Sequence, residues 1–271
     1  MPKMYMMISS VQNPRVKNTL LLEEKASARK EQERFVAEGT REISLALQAG
    51  FDIVQLYFCP DLLVPAVRDE LFGKLTRSTE ILEVTRDVFN RLAYRKDHGG
   101  AIAVARPRRL HFTDLALRHD PLLLILETVE KPGNLGALLR TADAAGLDAV
   151  VICDPQTDLY NPNTIRSAIG CVFTLPIVTA TTSETLGWLR GKGIRSYATA
   201  LTATAFYHHA DYAIPCAIVM GSEAYGLSDA WLEGADQLIR IPMLGKIDSM
   251  NVSASAAIVV FEALRQRGFS H

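Results

Sequence analysis

Cysteine is scarce in this 271-residue chain: there are four, and no two of them form a C-x-x-C pair. Cys59, Cys153, Cys171 and Cys216 are scattered, three of them in apolar runs that read as buried strands or their flanks. That excludes a disulfide framework or a dithiol redox motif, and four reduced core thiols of a cytoplasmic protein are expected. An excess of one charge is also lacking, since 29 Lys and Arg meet 30 Asp and Glu for a net charge of −1. The surface as a whole exerts no pull on nucleic acid, so any RNA contact must come from local basic patches. No apolar stretch nears the length of a membrane span, and the start MPKMYMMISSVQNPRVK has no long apolar core followed by a small-residue cleavage site. A soluble, unexported protein of the cytoplasm is expected.

Other site types are missing as well. The six histidines include the neighbours His208 and His209 but no H-E-x-x-H or other paired ligand spacing, so no metal is expected. There is neither a G-x-G-x-x-G register nor a G-K-[ST] phosphate loop, which argues against NAD enzymes and P-loop ATPases. Pro215-Cys216 could suggest a cysteine nucleophile, but it opens the apolar run AIVMG, where a buried structural thiol is the better reading.

What is present is an alternation of helical patterns with short apolar runs, the mark of an α/β chain with a mainly parallel sheet. The length favours two domains. In the first part, a helix is expected from Arg15 to about Arg34, a second over REISLALQAG and a third from Val64 to Leu75, with strands at IVQLYF, ILEVT and AIAVA. RPRRLHFT, residues 106–113, has a proline, three arginines and no apolar periodicity, and is the expected linker between an N-terminal domain, 1–105, and a C-terminal domain, 114–271. Beyond it PLLLILETV is a buried strand, Asn134 to Ala145 a helix, DAVVIC a strand, and Val252 to Gln266 the final helix. Asp143 reads as a helix-surface charge and Asp148 as a strand-entry residue.

Three blocks stand at strand-to-helix junctions of the C-terminal domain. The first is ETVEKPGNLGALLRTADAAG, Glu127 to Gly146. Its glycines allow a sharp turn and close backbone approach, Asn134 can cap a helix, and Arg140 lies on the side of Gly133 and Gly136. Taken alone, this could be a turn whose arginine pairs with a carboxylate. The second block, IVMGSEAYGLS at 218–228, puts Gly221 and Glu223 after a strand, at the carboxyl end where open α/β sheets bind ligands. The third, IPMLGKIDSMNVSASAA at 241–257, leads into a helix whose first turns carry almost no bulk, suited to close packing or to a flat ligand.

In this order and spacing the three blocks resemble the signature motifs of the SpoU/TrmH family of RNA ribose 2'-O-methyltransferases, within the SPOUT superfamily. The resemblance implies a C-terminal domain with a deep trefoil knot that binds S-adenosylmethionine, and a homodimer whose sites draw on both subunits. It makes Asn134, Arg140, Glu223, Ser249 and Asn251 the catalytic candidates and assigns the cofactor to backbone around Leu201, Gly221, Ile241 and Met250. The chain departs from the family at Ala224, usually glycine, and at Met250, usually leucine. The substrate implied is a ribose 2'-hydroxyl of structured RNA, ribosomal before transfer RNA. Base methylation, or an RNA-binding assembly factor that has lost transfer activity, are the alternatives.

The chemistry asks mainly for positioning. A sulfonium methyl is already activated, so the protein must align the hydroxyl and ease loss of its proton. Arg140 cannot act literally as a base, because guanidinium keeps its proton. Its expected role is to hold a phosphate and stabilise charge on the ribose oxygen, while a phosphate oxygen, Glu223 or water takes the proton. Ser249 and Asn251 could orient the ribose.

The N-terminal region, through ISSVQNPRVK, RFVAEGTREISLAL and GGAIAVARP, resembles the small ribosomal-protein-like α/β RNA-binding domain attached to many family members. Its basic candidates for RNA contact are Arg15, Lys17, Arg41, Arg95 and Lys96, joined by Arg106, Arg108 and Arg109 of the linker.

Overall fold

The computed structural model describes residues 5–94 and 99–269. The chain forms two α/β units, one made of Met1–Arg108 with Leu159–Thr174, the other of Arg109–Asp158 with Leu175–His271.

The first unit begins with β1 (Met6–Ile8), α1 (Pro14–Glu24), α2 (Ala26–Gln32), β2 (Phe35–Glu38), α3 (Thr40–Gln48) and β3 (Ile53–Phe58). It continues with α4 (Pro65–Lys74), β4 (Glu80–Val84), α5 (Arg86–Leu92) and β5 (Ala101–Ala105). Its five strands lie in the order β1-β4-β3-β5-β2, parallel from β1 to β3 and antiparallel beyond. Asn13 accepts from Arg15 N and Pro14 stands in the first turn, so α1 starts as sequence rules require.

The single helix expected from Arg15 to Arg34 is two helices. Lys25 is extended, at φ −114° and ψ 115°. The buried Arg29 turns back and donates to Leu22 O at 2.6 Å and Glu23 O at 3.0 Å, satisfying carbonyls at the end of α1. β1, β2 and α5 are among the elements of this unit that escaped the sequence pattern. β1 has three residues with Met6 and Met7 exposed, and α5 has seven, each too short to show a period.

The second unit contains β6 (Leu122–Glu127), α6 (Pro132–Ala144) and β7 (Ala149–Cys153). The chain then returns to the first unit for α7 (Pro162–Ser167) and α8 (Cys171–Thr174). Back in the second unit come β8 (Ile177–Ala180), α9 (Thr182–Lys192), β9 (Arg195–Thr199), β10 (Ala205–Phe206), β11 (Cys216–Met220), α10 (Asp229–Gly234), β12 (Gln237–Arg240) and α11 (Val252–Gln266). The seven strands lie in the order β10-β12-β9-β11-β6-β7-β8, and every pairing is parallel. β6, β7 and β11 are buried along their whole length, which is why they read as unbroken apolar runs.

The excursion of residues 159–174 differs from the sequence reading, which placed them in the C-terminal domain. Aromatic packing draws them to the first unit: Tyr160 stacks on Phe35 with centroids 4.4 Å apart, and Phe173 meets Phe51 edge-on at 5.1 Å. The Tyr160 hydroxyl also donates to Arg108 O at 3.0 Å. The expected linker is equally engaged. Arg106 pairs with Asp52 at 3.1 Å, the Arg108 guanidinium donates to Ala49 O and lies over the Phe51 ring, and Leu110 bridges Val178 in the second unit.

Candidate active site

A cleft of about 630 Å³ opens at the carboxyl ends of the neighbouring strands β12, β9 and β11. This is where a parallel sheet presents its ligand site. Residues following each strand wall it: Ala200 and Leu201 after β9, Gly221 and Ser222 after β11, and Ile241 after β12. Met250 and Val252 close it from the start of α11, so all four residues assigned to the cofactor line one cavity.

Gly221 also meets a demand of its own loop. A Cβ there would lie 2.5 Å from Leu227 N and still closer to the Gly226 carbonyl, so its hydrogen faces the backbone of its own loop. Ser222 and Gly226 exchange backbone hydrogen bonds of 2.9 and 3.1 Å across that turn. Gly226 has φ +71°, whereas Ala224 keeps a negative φ, so alanine in place of the usual glycine strains nothing.

Side chains from all three blocks meet at the rim of this cleft. Asn134 Nδ2 donates to Glu223 Oε1 at 2.6 Å, and Asn251 Nδ2 donates to Asn134 Oδ1 at 3.1 Å. Asn251 is the N-cap of α11, its Oδ1 accepting from Ser253 N at 3.0 Å and Ala254 N at 3.4 Å. A hydrogen-bonded chain thus runs from a helix N-terminus through two amides to a carboxylate. Burial disfavours the charged form of Glu223, but donation from the Asn134 side chain and from the backbone N–H groups of Glu223, Glu130 and Lys131 outweighs it and holds the carboxyl below its usual range. An ionised Glu223 only accepts, which sets the orientation of both amides. Ser249 also lines the cleft and donates to Asp248 Oδ1 at 3.2 Å.

Arg140 is not brought to this cleft. It is exposed on α6 and its side chain enters no hydrogen bond or ion pair among the described residues. Six residues beyond Asn134, it stands about 240° around the helix and roughly 9 Å along it. The side of α6 that carries Asn134 to Glu223 therefore carries Arg140 away.

The basic candidates divide. Arg15 is held by Glu80 at 2.8 Å, and Arg106 and Arg108 have the partners given above. Lys17 and Arg41 are exposed and unpaired among the described residues, and Arg109 is exposed. Arg95 and Lys96 lie outside the described residues.

Two carboxylates carry more than the sequence reading allowed. Glu127, buried at the end of β6, accepts from Ser228 N at 2.7 Å, Ser228 Oγ at 2.6 Å and Thr182 Oγ1 at 2.8 Å. It ties the loop that bears Glu223 to the first residue of α9. A charged residue ending the run PLLLILE was the available signal, since a buried charge needs partners. Asp148 is paired with Arg118 at 2.8 Å, its side chain only 2% exposed, and is a structural anchor more than a strand entry.

Cys59, Cys153 and Cys216 are buried and Cys171 half-buried, all as free thiols. Burial pushes Cys216 up to about 11 despite the nearby Arg267, which leaves it no nucleophile. Among the described residues no helix is long and apolar enough to cross a membrane, and no group of three His, Cys, Asp or Glu could hold a metal ion.

Fold and cleft together define a ligand-binding, wholly parallel α/β domain joined to a smaller mixed-sheet domain. The chain belongs to the SpoU rRNA methylase family, whose model matches residues 121–261. Residues 13–103 match the MRM3-like substrate binding domain. The chain is 30% identical to the 23S rRNA (guanosine(2553)-2'-O)-methyltransferase RlmP of Bacillus subtilis, over 94% of this chain and 97% of that protein. It is 36% identical to the 23S rRNA (guanosine-2'-O-)-methyltransferase RlmB of Vibrio parahaemolyticus, over 76% and 85%. The crystal structure of an AdoMet-bound rRNA methyltransferase from Sinorhizobium meliloti superposes with a TM-score of 0.88 at 31% identity, covering 96% of this chain and 97% of that one.

Proposed function

We propose that this protein is an S-adenosylmethionine-dependent methyltransferase acting on a ribose 2'-hydroxyl of ribosomal RNA. The observation that carries the reading is the convergence of the three blocks on one cleft at the ends of β12, β9 and β11, with Asn134, Glu223 and Asn251 linked at its rim. The cleft suits the cofactor: apolar walls from Leu201, Leu227 and Val259 can take a flat base, and backbone groups of the three strand-end loops can fix polar edges. The segments that wall it form the deep trefoil knot of the superfamily. When bound, the cofactor supplies an activated methyl group.

The protein's own residues orient and stabilise. Glu223, held in its ionised form, is a poor proton acceptor and serves to aim Asn134. Asn134, Ser249 and Asn251 orient the ribose, and its proton passes to a phosphate oxygen or to water. Arg140, directed away from its own chain's cleft, grips a phosphate and stabilises the developing alkoxide at the cleft of a second copy. The working unit is a homodimer in the cytoplasm, and the first unit, with Lys17 and Arg41, binds RNA.

The test is transfer of labelled methyl from S-adenosylmethionine to 23S rRNA by the purified protein, followed by nucleoside analysis. Label on a ribose 2'-oxygen is expected. Label on a base, or none, overturns the reading. Ribose-methylation maps of matched strains with and without the gene identify the nucleotide.

A further inference from the structure

One lip of the cleft carries an aromatic and cationic cluster that methyl transfer itself does not require. Phe206 ends β10, the two-residue edge strand of the seven-stranded sheet, and is in register with Arg240 of β12. The Arg240 guanidinium lies over the Phe206 ring, 5.3 Å from its centroid. His208 stacks on the same ring, 5.8 Å away at an interplanar angle of 15°. His209 stands edge-on to His208 at 4.3 Å, and Tyr207 does so at 5.2 Å.

A core role does not account for this cluster. His208, His209 and Arg240 are exposed and Phe206 is half-buried. Arg240 has no hydrogen bond or ion pair among the described residues. Glu262 leaves this cluster without a carboxylate partner, because its oxygens are occupied by Arg265 and Gln266. Tyr207 and Arg240 also wall the cleft, so the cluster is continuous with the candidate active site.

We propose that Phe206, His208 and Arg240 form a stacking platform for unpaired RNA bases flanking the ribose that enters the cleft. The proposal rests on the methyl-transfer reading above. Aromatic rings and a guanidinium plane are the surfaces on which splayed RNA bases stack, and a cation lacking a carboxylate partner attracts the adjoining phosphates. An A-form duplex keeps its base faces inside the helix, so the platform selects single-stranded RNA. A flanking base pinned there would bring its neighbour's ribose to the cleft and deny that geometry to paired RNA.

The experiment uses the full-length protein with a fluorescein-labelled single-stranded oligoribonucleotide and the same strand in a duplex, read by anisotropy. His208→Ala and Phe206→Leu should each weaken single-strand binding about tenfold, the loss expected for one stacked base. Duplex binding and S-adenosylmethionine affinity should hold. His208→Phe, which keeps a flat ring without charge, should retain most of the single-strand affinity. Unchanged single-strand binding in both weakening variants overturns the platform while leaving the methyl-transfer reading in place, provided the wild type transfers methyl to RNA. A loss of dimer in sedimentation of His208→Ala shows that a second copy covers the cluster and overturns it too. If the wild type neither binds RNA nor transfers methyl, both readings fail.

Discussion

Asn134 donates to Glu223 Oε1 at 2.6 Å, joining residues 89 positions apart in the chain. Because the carboxylate accepts with charge, this is a stronger restraint than the neutral amide contact that continues it to Asn251.

Glu223→Gln should lower kcat for methyl transfer about ten- to a hundredfold, since the charged, acceptor-only group that aims the Asn134 amide becomes a neutral amide that can also present a donor. The folded carboxyl lies below its usual value of 4.5, so Glu223 stays ionised as pH falls from neutrality and protonates only below that value. The pH profile of kcat/KM should therefore show no inflection from Glu223 above about pH 5. A wild-type acid limb near neutrality that vanishes in Glu223→Gln would make Glu223 the base.

Arg140→Ala should cost about a hundred- to a thousandfold in kcat, and Arg140→Lys should recover little, because lysine lacks the planar fork. S-adenosylmethionine affinity should stay constant in both. If Arg140 serves the cleft of a second copy, mixing Arg140→Ala with Glu223→Gln should raise activity above that of either variant alone through hybrid dimers that contain one intact site. No recovery after demonstrated subunit exchange would place Arg140 in its own chain's site.

Gly221→Ala is a sharper probe than a bulkier substitution, because even one methyl meets the Gly226 carbonyl. The loop from Gly221 to Ser228 must open to admit it, at about 1–3 kcal/mol. Thermal melts should show a lower Tm together with weaker cofactor binding by calorimetry. A normal Tm with weakened binding would show instead that the methyl points at the cofactor.

Glu127→Ala removes the acceptor of three hydrogen bonds and leaves Ser228 N without a partner inside the protein. Urea denaturation should report a loss of about 3 kcal/mol, and cofactor affinity should fall as the loop bearing Glu223 loosens. Equal stability of Glu127→Ala and wild type would show that water replaces the carboxylate.

Asp148 gives a stability dependence with a definite sign. Burial opposes its charge, but the Arg118 side chain and the backbone N–H groups of Leu122 and Arg118 prevail and hold the carboxyl below its usual 3.8. A folded value below the unfolded one means that the stabilisation is present above about pH 4 and is lost as pH falls through the folded value. Asp148→Asn should be less stable than wild type by about 2 kcal/mol at pH 7, and the difference should shrink as pH falls through the folded value of Asp148. A constant difference across this range would assign the loss to packing alone.

The amino-acid sequence by itself determined the elements whose signal is local. β3, Ile53–Phe58, and α11, Val252–Gln266, fall where apolar runs and helical periodicity put them, and the carboxyl end of β11 was legible as a ligand edge from the apolar run that precedes Gly221. The resemblance of three spaced blocks to one family was legible for the same reason, since each block is a contiguous string. Only the tertiary structure decided where side chains point and what they meet. The break between α1 and α2 depends on Arg29 reaching back to Leu22 O, and the transfer of residues 159–174 to the first unit depends on Tyr160 finding Phe35, 125 positions earlier. The backbone contact that demands Gly221 and the partners of Glu127 have the same origin. They are contacts across loops or between distant strands, and such contacts leave no period in the chain because their energy comes from surfaces that meet only after folding.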